Sequence, residues 1–280
     1  AAATAEYERT AYEYPTHERS AEAGFAAIVA YREAEKGLSG REKEEWHSFY
    51  LDSGLRFADT FPEHPESGPV LTAAAEDLFH QGEFELAVAV GESVVAKQPA
   101  VDGKLLRTAW TVIAHSQFDL ANFTAAESSY YRLRQFTPAD DGEAGQEIKD
   151  RIASSIYKQG EQARDSGDLS GADDHFMRLG QAVPDADIRA TAEYDAAAAL
   201  INMQAWDRAA AVLEQFRKDY PDSEFKDDIT QKLAVTYLES GQSGQAAAEF
   251  ERIAETGANT TDVQREALWK AAELYRGTGD

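Results

Sequence analysis

Residues 219–250 read DYPDSEFKDDITQKLAVTYLESGQSGQAAAEF. Leu233, Ala234 and Tyr237 fall three or four positions apart or side by side, the spacing of one helix face. Gly241 follows, and glycine closes a helix because it enters the left-handed backbone region without a Cβ clash. Five residues on comes Ala246, and four after that Phe250. A small residue there lets two helix backbones approach, and a bulky one a turn later fills the groove between them. Proline ends the preceding element at Pro221, since it removes an amide donor and clashes with the turn before it. Helix, glycine turn, helix and proline make one unit.

The same unit recurs along the chain. Six of the eight prolines (Pro15, Pro62, Pro99, Pro138, Pro184 and Pro221) follow helix-like stretches, at separations of 47, 37, 39, 46 and 37 residues. Twelve residues before five of them stands an alanine: Ala3, Ala87, Ala126, Ala172 and Ala209, with Tyr50 in the sixth place. Four after these come Tyr7, Tyr130, Phe176 and Leu213, with Gly91 as the exception. Five before come Gly82 and Gly167, with Ala121 and Gln204 as departures. Phe84, Phe123, Leu169 and Trp206 precede the alanine by three.

A single such unit cannot bury its apolar face, so successive units must stack. The pattern predicts an all-α chain of about fourteen helices. First helices are expected at about 17–35, 66–81, 101–120, 141–166, 185–203, 223–240 and 260–276. Second helices are expected at about 1–14, 41–60, 83–97, 122–136, 169–182, 206–219 and 243–256. Runs of alternating β-branched residues are nearly absent, which argues against strands.

Leu233, Ala234, Tyr237, Gly241, Ala246 and Phe250 resemble the motif of the tetratricopeptide repeat, and Trp110 stands where that family has an early tryptophan. The resemblance implies a right-handed superhelical α-solenoid of antiparallel helix pairs. It divides the chain into repeats at 16–62, 63–99, 100–138, 139–184, 185–221 and 222–258. Residues 1–15 would be the second helix of a further repeat and 259–280 the first helix of another, with Tyr275 and Gly279 in register with Tyr237 and Gly241. On this reading the chain is a piece of a larger protein. The spacings exceed the family's usual period, and the repeat ending at Pro62 has an altered second helix. The stretch Asp219–Gln242 is similar to repeats of bacterial envelope proteins, notably the outer-membrane assembly and Tol-associated type. That similarity implies a periplasmic or outer-membrane-associated parent.

The chain has 280 residues, with 51 acidic and 27 basic side chains and a net charge of −24. Such charge repels a phosphate backbone and an anionic membrane surface, so nucleic acid and direct membrane insertion are not expected. It has no cysteine, hence no disulfide, thiolate nucleophile or cysteine-based zinc site. No apolar run approaches bilayer length, and AAATAEYERT lacks the regions of a signal peptide.

Catalytic motifs are missing too. Neither GxGxxG nor GxxxxGK[ST] occurs, and Gly241-Gln242-Ser243-Gly244 has the wrong spacing for a nucleophile elbow. Asp165, Asp168, Asp173 and Asp174 crowd together without calcium-loop spacing, so a solvated turn is expected. His17, His47, His64, His80, His115 and His175 are scattered among units with no metal-binding pair. Asn122 and Asn259 head glycosylation-type triplets, which matter little for a bacterial-looking chain. An enzyme, a cofactor and a metal are therefore not expected.

What remains is surface. The resemblance places the first helices along a concave face and implies ligand-groove positions at Phe25, Phe79, His115, Phe118, Tyr157, Glu161, Arg164, Tyr194, Asn202, Glu239, Trp269 and Glu273. Aromatics offer large contact area with few rotors to freeze, and carboxylates favour basic partners. The family's carboxylate-clamp set is reduced to Asn202 and Arg164, which argues against an acidic peptide terminus. Tyr157, Tyr194 and Trp269 could instead pack between repeats. The expected function is a non-enzymatic scaffold that holds a protein or peptide, basic or apolar, in the groove. The alternatives are an architectural spacer that self-associates through open ends, and a glycan-binding groove.

Overall fold

The computed structural model describes residues 2–138, 141–255 and 260–278; Gly279 and Asn259 lie outside them. Among the described residues there are fourteen helices and no strand. In chain order they are α1 (Ala2–Tyr12), α2 (Ser20–Glu35), α3 (Gly40–Thr60), α4 (Ser67–His80), α5 (Phe84–Val95), α6 (Gly103–Asp119) and α7 (Phe123–Phe136). There follow α8 (Gly142–Asp165), α9 (Leu169–Ala182), α10 (Arg189–Asn202), α11 (Trp206–Asp219), α12 (Lys226–Glu239), α13 (Ser243–Glu255) and α14 (Thr261–Thr278). The all-α expectation holds, with helix ends within about four residues of the predicted ones.

The turn geometry shows why the spacing works. Between α4 and α5, Gly82 donates to the Phe79 carbonyl and Glu83 to that of Leu78. The same pair of bonds closes α6 (Ala121 to Phe118, Asn122 to Gln117) and α8 (Gly167 to Arg164, Asp168 to Ala163). It recurs after α10 (Gln204 to Ile201, Ala205 to Leu200) and α12 (Gly241 to Leu238, Gln242 to Tyr237). Such reverse bonds satisfy the orphan carbonyls of a helix end and require a left-handed residue. Ala121 and Gln204, departures in sequence, are not departures in structure: both sit at φ 58°. The turn is fixed by its hydrogen bonds and the helix packing around it, and glycine merely makes it cheaper.

The chain forms two compact units, residues 1–148 and 149–280. In the first, each helix from α1 to α7 packs on the next, and α4 also packs on α6. Its core gathers Leu51, Leu71, Leu78, Val90, Val94 and Val112 around Ala74, Ala75, Ala87 and Ala109. In the second, α9 to α14 pack successively, around Leu213, Phe216, Ile229, Leu233 and Tyr237. The alanines expected at close approaches are fully buried at Ala87, Ala126, Ala172, Ala209 and Ala246. Phe176 and Leu213 fill their grooves completely, and Tyr130 nearly so. Where Gly91 replaces the bulky residue, Ile113 of the facing helix takes the space, lying 2.8 Å from where a Cβ would stand.

The first helix corrects the expected register. Ala3 is exposed and Tyr7 is 41% exposed, whereas Thr4 and Ala11 are buried. α3, α7, α9 and α11 end two residues before their prolines, but α1 ends three before Pro15. Counting back twelve from Pro15 lands on Ala3, one residue off the buried Thr4; the helix end alone does not set this register, since α5 ends four residues before Pro99 and Ala87 is still buried. The α2–α3 repeat differs as well: its turn residue Gly40 (φ 58°) lies 22 positions before Pro62, and α3 is lengthened to 21 residues.

Candidate functional site

The first helices of the repeats carry the residues expected to face a ligand, and their neighbours decide which remain free. In the second unit two of these aromatics bridge adjacent first helices. The Tyr157 hydroxyl on α8 donates to Asp195 on α10 at 2.6 Å, and Tyr194 on α10 donates to Asp228 on α12 at 2.5 Å. Arg164 lies 3.7 Å from Asp195 and 3.6 Å from Glu161, completing one rung. Lys232 sits 3.3 Å from Asp228 and 5.2 Å from the Tyr194 ring centre, completing the other. Tyr194 also stacks on Phe225, with ring centres 4.4 Å apart and 16° between planes, while Tyr157 packs on Phe176. Burial and then the adjacent carboxylates push both phenols well above the usual tyrosine range. These two side chains serve inter-repeat packing.

Elsewhere the expected residues divide further. Phe25 packs against the paired rings of Phe57 and His64, and Phe118 packs on Phe123 at 5.1 Å across the helix corner. Phe79 and His115 come together, ring centres 6.0 Å apart, in a groove of about 490 Å³ between α4 and α6. Glu76, His80, Lys104 and Arg107 rim that groove, and Arg107 is bound to Asp141 at 3.0 Å. That salt bridge and the Ala144 amide hold the Asp141 carboxyl below the ordinary range, the amide contributing most. Asn202 is exposed at the last residue of α10. Glu239 faces a cleft of about 530 Å³ with Gln204, Trp206 and Arg208 at the turn end.

Trp269 and Glu273 share a groove of about 720 Å³ between α12 and α14 with α13 beneath. Phe250, Ile253 and Ala267 form its floor; Val235, Val263 and Trp269 form apolar walls; Gln231, Glu266, Lys270 and Glu273 form the rim. Trp269 is 71% exposed, Val235 46% and Val263 43%. Three large apolar side chains left open around one slot are the usual mark of a docking surface.

Sequence reasoning missed Gln231, Val235, Val263, Glu266 and Lys270 here, and Asp195, Asp228 and Lys232 in the rungs. A signal for two of them was present. Aligning Tyr275 with Tyr237 sets an offset of 38, which carries Trp269 to Gln231 and Glu273 to Val235. The rung carboxylates had no signal, because in so acidic a chain an Asp near a Tyr is commonplace.

Among the described residues no cluster of three or more metal-ligating side chains occurs, and no helix is long and apolar enough to cross a membrane.

The tetratricopeptide-repeat family matches this chain at residues 191–223, which supports that repeat in the α10–α11 hairpin. No curated protein sequence matches the chain. Among solved structures it is similar to YrrB, a tetratricopeptide protein described as having an unusual peptide-binding site. That likeness has 13% identity and a TM-score of 0.37, over 78% of this chain and 97% of the other. It is also similar to the TPR2AB domain of yeast Sti1 in complex with an Hsp90 peptide (13% identity, TM-score 0.35, over 91% and 100%). A tetratricopeptide protein from Parabacteroides merdae is similar at 15% identity and TM-score 0.32, over 97% and 100%.

Proposed function

We propose that this chain is a non-enzymatic interaction scaffold whose first-helix surfaces hold a segment of a partner protein, the α12–α14 groove being the principal seat. The observation that carries the reading is the open slot walled by Val235, Val263 and Trp269, where Tyr157 and Tyr194 of the preceding first helices are engaged between repeats. An apolar cleft with a polar rim suits an anchoring side chain and its flanking backbone. The sequence carries no phosphate-cradling or nucleophile-elbow motif that would compete with it. A periplasmic or outer-membrane-associated parent is the setting we propose for it, on the envelope-like stretch Asp219–Gln242 alone.

The test is selection of binding peptides from a displayed random library, followed by affinity measurement on the wild-type chain, Trp269→Ala and Tyr194→Ala. Trp269→Ala should weaken the selected peptides by about tenfold or more, as expected when an aromatic anchor contact is lost. Tyr194→Ala should act through stability. Equal binding by wild type and Trp269→Ala would refute the assignment of the groove.

A further inference from the structure

Resting on the groove reading above, we propose that the α12–α14 groove selects a segment carrying an apolar side chain beside a basic one, and that Glu266 recognises the base. The apolar half follows from the floor of Phe250, Ile253 and Ala267 and the open walls of Val235, Val263 and Trp269.

The basic half follows from an uneven rim. Glu273 has Lys270 at 3.8 Å, and about three turns earlier Asp262 is paired with Arg265. Glu266, between them on α14, has no cation within 4 Å among the described residues. An unpaired carboxylate at the lip of an apolar slot offers a charge-assisted bond to a guest ammonium or guanidinium. The same cation would meet an exposed indole face, which attracts it through the ring quadrupole. The chain's net charge of −24 favours approach of a cationic segment over an anionic one. The α4–α6 groove lacks this bias, because Arg107 on its rim is held by Asp141 and Lys104 stands against Glu76, so the selectivity belongs to the α12–α14 groove rather than to the fold.

Three ten-residue synthetic peptides test it by calorimetry in physiological salt: one with two Leu-Arg pairs, its Leu-Glu counterpart and its Ser-Arg counterpart. The Leu-Arg peptide should bind about fivefold or more tighter than either of the others. Glu266→Lys should reverse the preference between Leu-Arg and Leu-Glu. Asp187→Lys makes the same change of charge at an exposed site before α10 and should leave the preference in place. Both sites are exposed, and circular dichroism confirms that each variant is folded. If Leu-Arg and Leu-Glu peptides bind equally, the charge selectivity is wrong while the groove stands. Equal shifts from Glu266→Lys and Asp187→Lys would assign the effect to net charge and overturn the role of Glu266. If no leucine peptide binds, and Trp269→Ala leaves library-selected peptides unaffected, the groove reading falls together with the inference.

Discussion

Gly160 and Phe176 offer a sharp test of how the repeats fit together. A Cβ on Gly160 of α8 would lie 2.4, 2.6 and 2.9 Å from three ring carbons of Phe176 on α9. Ordinary contact begins near 3.4 Å, so the ring or the helix must give way by about 1 Å. The ring cannot swing into solvent, because Phe176 is fully buried and packs on Tyr157 at 5.3 Å. Overpacking of this kind costs about 1–3 kcal/mol. Alanine returns about 1 kcal/mol through helix propensity. Gly160→Ala should therefore lose a net ~0–2 kcal/mol. Gly145, on the same helix with nothing within 4 Å of its absent Cβ, supplies the control: Gly145→Ala should gain about 0.5–1 kcal/mol. Urea unfolding followed by circular dichroism measures both. A double-mutant cycle with Phe176→Leu should return about 1 kcal/mol of favourable coupling, since the smaller side chain vacates the contested space. If Gly160→Ala is as stable as Gly145→Ala, the close approach of α8 and α9 is wrong.

Three further outcomes follow from the same geometry. Ala121→Gly and Gln204→Gly, which relieve left-handed non-glycine residues at φ 58°, should each raise stability by about 0.5–1 kcal/mol in thermal or urea unfolding. Arg208→Met removes the cation 2.5 Å from Asp173, whose side chain is 1% exposed, and should cost about 2–3 kcal/mol at neutral pH. Burial already pushes the Asp173 carboxyl above its usual range, so that variant's deficit should shrink as pH falls toward the carboxylate range, where the buried group becomes neutral. At the alkaline end, burial and then Glu8 push the Tyr12 phenol up to about 12, and Tyr157, Tyr194 and Tyr237 are also raised. Above about pH 10 the unfolded chain releases these protons before the folded one does, so stability should decline from there upward, as a pH series of urea midpoints would record.

The fold was legible because its signals are local and periodic. Proline, turn residue, alanine and bulky residue each act within one hairpin, and hairpins repeat. Even so, counting from proline failed at α1, where Thr4 rather than Ala3 is buried, and glycine identity understated the turns at Ala121 and Gln204. The candidate site was less legible. Whether an aromatic on a first helix binds or packs depends on what the next repeat places opposite it. Tyr194 meets Phe225 and Asp228, residues 31 and 34 positions away, and is consumed by them. Among the described residues Trp269 meets no such partners, and it stays open. Val235, a first-helix residue of ordinary hydrophobicity, stands out only once its exposure is known.

The claim that the α12–α14 slot is the working surface is tested most directly by methyl-resolved NMR during titration with a library-selected peptide. The account predicts that the largest shifts fall on the methyl groups of Val235, Ile253 and Val263, with the Trp269 indole responding alongside. Shifts confined to exposed apolar residues elsewhere, such as Val29 or Leu86, with the slot silent, would contradict it.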